Sequence, residues 1–258
     1  MFDPKRPRDK ACMDNFQQLF KANPAKLKSN DPELMEILQK YIFGDIFSVG
    51  DLTIKEREMI TVVCLTSIQC LPQLKAHLNA ALNVGNTPLE LREAIYNCFS
   101  FLGFPRTLNA LDVFNTVLKE RNISLPLESG KTIKDEERYN KGKEIQNPLF
   151  GDGLKKLLGN VPEEIKNKMD QFITETYYGD TYTRKFLDLK TRELISLIPL
   201  VSLGLFQLMK PHIIAAFKLG NSKEKVAATI LQCMPYVGVA NAISAMMVLS
   251  EVCKIENK

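Results

Sequence analysis

The chain has 258 residues, 45% hydrophobic and 25% charged, a balance that suits a soluble globular protein with a real core. A net charge of +4 with scattered lysines argues against nucleic acid as the main partner, which would need a concentrated basic patch. No apolar run reaches the about 18 residues that span a bilayer, and no apolar segment follows the basic residues of MFDPKRPRDK, so neither a membrane span nor a secretory signal is expected.

Residues 1–30 are polar around a short apolar patch at Phe16–Phe20, and read as a loosely packed arm with a helical turn or two. Asp31-Pro32 is a helix start, with Leu34, Ile37, Leu38, Tyr41 and Ile42 at helical spacing behind it. Thr53 and Glu56 form a capping box for a helix through about Gln69. Pro72 suits the first turn of a further helix, which Gly85 ends. Thr87-Pro88-Leu89-Glu90 opens another, and a last one follows Gly103 and Pro105 through about Arg121. The polar, turn-rich stretch 122–134 is a linker. Helical signals resume at Asp135–Gln146 and Val161–Tyr178.

Leu52–Asn86 then returns 135 residues later, without a gap, as Leu187–Asn221. Extended in both directions, the match pairs Gly44–Lys119 with Gly179–Lys254 and gives 22 identities in 76 positions. A repeat of that length means one structural unit built twice. No alternating run suggests a strand. The expected fold is therefore all-α, two tandem helical-bundle repeats, divided as 1–121 (arm and first repeat), 122–134 (linker) and 135–258 (second repeat).

The only two histidines, His77 and His212, occupy the same place in the two copies, as do Arg57–Glu58 and Arg192–Glu193. A carboxylate beside an imidazole fixes its tautomer and raises its basicity, which suits a general acid and base. Counted along an antiparallel hairpin, Glu58 lies about 18 Å from the turn and His77 about 10 Å, an offset that calls for a bridging group rather than direct contact. Cys70, Gln73 and His77 share one helix stripe, and Cys70 sits where helix dipoles can activate a thiol. Copy two has Leu205 and Leu208 there, so thiol chemistry would belong to copy one. The six cysteines form no CxxC and are expected as reduced thiols in a cytoplasm. Cys98 and Cys233, paired across the repeat, read as core. Two histidines in separate halves do not make a metal site, and no Gly-rich phosphate loop calls for a cofactor.

The stretches LTIKEREMI, LKAHLNAALNVGNTPLELREAIY and FLGFPRTLNAL, with LDLKTRELI, PHIIAAFKLGN and YVGVANAISAM in copy two, resemble the carboxymuconolactone decarboxylase family, related to alkylhydroperoxidase D. The resemblance implies an all-helical fold, a site on the helices of Glu58 and His77 (with Glu193 and His212 in copy two), and ring-like oligomers, of which a homotrimer matches two repeats per chain. The family's peroxidase branch has a CxxC before its histidine. Here Gln73 replaces the second cysteine, and the decarboxylase branch is the better match. Pro211, immediately before His212, is expected to bend or restart its helix, which favours copy one as the active half.

Three functions follow as alternatives. One is decarboxylase-like acid–base chemistry on a small cyclic or lactone carboxylate, with His77 as acid and base, Glu58 orienting it, and Arg57 and Gln73 binding substrate. The second is a peroxiredoxin-like activity of Cys70, with Cys64 or a small thiol as resolving partner. The third is a non-catalytic helical binding protein.

Overall fold

The computed structural model describes residues 2–256, and among them there are helices and turns but no strand. In half one, α1 (Pro7–Phe20) and α2 (Pro32–Gln39) precede α3 (Ile54–Ile68), α4 (Leu71–Asn83), α5 (Pro88–Leu102) and α6 (Phe104–Glu120). Half two has α7 (Arg138–Phe150), the short α8 (Gly153–Leu158) and α9 (Glu163–Phe172), then α10 (Leu189–Ser202), α11 (Met209–Lys218), α12 (Lys223–Val237) and α13 (Val239–Glu256). Both α2 and α9 run on into π-helical turns, at Lys40–Asp45 and Ile173–Tyr182.

The capping residues act as their sequence context requires. Thr53 and Thr87 close reciprocal boxes with Glu56 and Glu90, while Asp188 and Ser222 accept from the amides of Thr191 and Lys225. Helices α3 and α10 are buried on every side, from Arg57 to Ser67 and from Arg192 to Ser202. A helix covered all round occupies the middle of a fold. Around these two lies one core drawn from both halves: Met59, Ile60 and Val63 pack with Leu194, Ile195 and Ile198. The inter-half contacts are reciprocal, α3 meeting α12 as α5 meets α10, which is the pattern of a twofold relation.

The N-terminal segment is not a loose arm. Helix α1 has fourteen residues and buries Cys12, Phe16 and Leu19 against Phe43 and Phe47. Its counterpart is α7, and both lie across a π-helical turn at the same close approach. A Cβ on Gly44 would stand 2.8 Å from the Arg8 carbonyl oxygen, and one on Gly179 would stand 2.5 Å from that of Arg138. Arg8 and Arg138 then pair with Asp45 and Asp180. The repeat thus reaches further toward each start than the ungapped match shows. The α1–α7 spacing is 130 residues instead of 135 (Arg8 to Arg138), so a gapless comparison misses it.

Candidate active site

Glu58 lies one turn into α3 and is completely buried, and His77 lies midway along α4. The two touch directly: His77 Nδ1 is 2.8 Å from Glu58 Oε2. The expected gap came from counting rise along the axes alone. Two methylenes on the glutamate and one on the histidine carry the polar groups across it. In half two, His212 Nδ1 is 2.6 Å from Glu193 Oε1. With Nδ1 committed to a carboxylate, Nε2 becomes the working nitrogen of each ring. No described residue hydrogen-bonds it in either half.

Each imidazole stands between two aromatic rings, one of which comes from the opposite half. His77 meets Phe20 edge-on at 5.7 Å and Tyr236 at 5.8 Å. His212 meets Phe150 at 5.1 Å and Phe101 at 5.4 Å. Phe101 and Tyr236 are repeat partners, as are Phe20 and Phe150 on α1 and α7. The Tyr236 hydroxyl lies 3.2 Å from Thr61 Oγ1. Burial, and then the charge of Glu58, push its phenol well above the usual range, so it stays a proton donor.

The sites differ at one carboxylate oxygen. Tyr182 donates to Glu193 Oε2 at 2.8 Å, so both oxygens of Glu193 are engaged. Phe47 stands at the matching place in half one, and Glu58 Oε1 is buried with no partner. Pro211 has a smaller effect than its position suggests. Helix α11 restarts at Met209, after a 3-10 turn at Phe206–Leu208, but the His212–Glu193 bond still forms.

Other expected site residues are placed elsewhere. The Arg57 guanidinium is buried and spent on the carbonyls of Ile46 and Val49 and on Gln232 Oε1, so it is not positioned to hold a substrate carboxylate. Gln73 is exposed and makes no side-chain hydrogen bond among the described residues. Cys70 precedes α4 and packs half-buried against the core of half one, whereas Cys64 is sealed in the core shared by the halves. The two thiols are not brought together. Tyr236, Phe101, Phe20, Phe150 and Tyr182 escaped the sequence reading. An aromatic at the same repeat position, 101 and 236, was the signal that could have revealed the first two.

A sequence profile of the carboxymuconolactone decarboxylase family matches residues 32–116 and again 167–251. The 4-carboxymuconolactone decarboxylase of Acinetobacter baylyi is 28% identical over 123 residues, 47% of this chain and 91% of that protein. An uncharacterized 15.0 kDa protein of Paracoccus denitrificans is 27% identical over 42% of this chain and 92% of its own length. The nitrosuccinic acid decarboxylase of Metarhizium robertsii is 25% identical over 33% of this chain and 59% of its own.

Proposed function

Because this chain belongs to the carboxymuconolactone decarboxylase family, we propose that it is a decarboxylase-like enzyme acting on a small cyclic or lactone carboxylate, with half one as the working site. Loss of CO₂ leaves an electron pair that a conjugated lactone can accept, and a proton must then be delivered to carbon. His77 supplies that proton from Nε2 and recovers one from solvent. Glu58 holds the ring at Nδ1 and so orients Nε2 toward the substrate. The observation that carries this reading is the direct, buried Glu58–His77 bond between two aromatic rings. Half one is preferred because Glu58 keeps an unpaired oxygen, whereas Tyr182 takes up the corresponding one on Glu193. The separation of Cys70 from Cys64, and the exposure of Gln73, speak against thiol peroxidation.

The reading includes a cytoplasmic homotrimer. Apolar side chains left exposed on α2 (Leu34, Ile37) recur on α9 (Met169, Phe172), and those on α6 (Phe104, Leu108) recur on α13 (Val239, Ile243). Surfaces that repeat in this way suit a ring of like contacts.

The test is CO₂ release from 4-carboxymuconolactone and related lactone acids, with folding checked by circular dichroism. His77→Asn should cost on the order of 10²–10⁴ in turnover, Glu58→Gln less, His212→Asn less again, and Cys70→Ser almost nothing. Full activity in His77→Asn together with a dead Cys70→Ser would end the acid–base reading.

A further inference from the structure

The second Glu–His pair stands on weaker helical supports than the first, and yet it forms. In half one, only Gln69 and Cys70 separate α3 from α4, and residues 71–76 precede His77 within its helix. In half two, residues 203–208 separate α10 from α11, with the 3-10 turn Phe206–Leu208 among them, and only Met209, Lys210 and Pro211 precede His212 in its helix. Pro211 stands where half one has Ala76. It lacks the amide hydrogen that would bond the Gln207 carbonyl and carry the α-helix back through that turn. The ring is also more open to water, since 17% of the His212 side chain is exposed against 7% of His77.

What half two has in addition lies on the far side of the carboxylate. Tyr182, the last residue of the π-helical turn, is buried and donates to Glu193 Oε2 at 2.8 Å. The same hydroxyl lies 2.9 Å from Ser196 Oγ. Ser196 is itself anchored, donating to the Arg192 carbonyl at 2.8 Å and accepting from Asn97 Nδ2, of half one, at 2.9 Å. Burial, then the charge of Glu193, push the Tyr182 phenol well above the usual range, so it keeps the proton it donates. Half one is built otherwise. Phe47 stands in place of Tyr182, and Thr61, in place of Ser196, meets Tyr236. Glu58 Oε1 has no partner there, and the bond to His77 forms without one. The extra hydroxyl and the proline thus occur together in the half whose helix starts late, and both are absent from the other.

We propose that Tyr182 is a positioning residue for the second pair. By fixing Glu193 from behind, it keeps the His212 ring bonded at Nδ1, and so does for half two what the longer helix does for half one. Half two thereby retains a second acid–base unit. The inference rests on the acid–base reading of the Glu–His pairs, but the pair itself can be observed without a substrate.

The chain has only two histidines, so NMR of the full 15N-labelled protein has two imidazole Nδ1–H groups to follow, and His77→Asn and His212→Asn assign them. Tyr182→Phe removes one hydroxyl and leaves the ring that half one carries at the same place. It should speed solvent exchange of the His212 Nδ1–H about tenfold or more, as expected for the loss of one bond to a charged acceptor, and leave that of His77 within about twofold. Pro211→Ala alone should change either rate by no more than about twofold. Combined with Tyr182→Phe, it should restore most of the lost protection, because the helix then does the holding. Unchanged exchange at His212 in Tyr182→Phe, equal acceleration at both histidines, or no restoration by Pro211→Ala would each overturn the assignment. A protein that shows this pattern but releases no CO₂ from lactone acids would lose the decarboxylase reading and keep the positioning role.

Discussion

Glu93 is the residue whose loss should cost the fold most. It lies on α5, fully buried, and faces three guanidiniums. Arg184 grips it with two bonds, Nε to Oε2 at 2.8 Å and Nη2 to Oε1 at 2.9 Å. Arg192 Nη2 reaches Oε2 at 3.0 Å, and Arg92 Nη2 reaches Oε1 at 3.0 Å. Arg184 and Arg192 belong to half two, so this one carboxylate fastens the halves together. Glu93→Gln keeps the shape and removes the charge, leaving Arg192, which is 0% exposed, without its counterion. Breaking a buried pair from one side costs about 3–5 kcal/mol. The Arg57 cluster in half one is a control within the same molecule. Ala228 stands there in place of Glu93, and Arg57 is satisfied by neutral carbonyls and Gln232. Burial alone would raise the Glu93 carboxyl, but the bond and charge of Arg184, then the charge of Arg192, hold it below its ordinary value of 4.5. A carboxyl depressed in the folded state stabilises above its unfolded pKa, and loses that effect as pH falls through the folded one. Urea unfolding followed by circular dichroism should therefore show the full penalty of Glu93→Gln at pH 7. The gap between wild type and variant should close progressively below about pH 4.5. A penalty under about 1 kcal/mol at pH 7, or a gap that widens in acid, would refute the argument.

Asn97→Gln should stabilise the protein by about 1 kcal/mol, because it can join two orphaned atoms, Asn97 Oδ1 and Arg192 Nη1. The longer Gln232 makes that bond to Arg57 Nη1 at 3.0 Å in the matching place; a lowered urea midpoint would refute it. Leu19→Ala should cost about 2–5 kcal/mol, since Leu19 is 0% exposed in α1, whereas a loose arm would tolerate the change. Light scattering at micromolar concentration should give about 88 kDa, three times the chain mass of 29.2 kDa; a species near 29 kDa would rule out the trimer.

The repeat, the helix class and the caps were legible because each rests on local chemistry: a capping threonine, a proline in the first turn, an apolar stripe. So was the presence of a carboxylate and an imidazole, Glu58 and His77, at the same places in both copies. Their direct contact was not, because it depends on how far two side chains reach between packed helices. Helix α1 was hidden by its own composition, since seven of its fourteen residues, among them Arg8, Asp9, Lys10 and Gln17, are charged or amide-bearing. The sequence shows an arginine at 57 but not that nearby carbonyls consume it. It shows a tyrosine at 236 but not that its ring closes over a histidine 159 positions away.

That last placement has an evolutionary consequence. Tandem copies are usually free to drift apart, one keeping the old task while the other acquires a new one. Here a change at Tyr236, in the second copy, alters the environment of His77 in the first, and a change at Phe101 does the same to His212. Selection on one copy therefore constrains both, and an excised half would keep its histidine but lose one of the two aromatic rings that flank it.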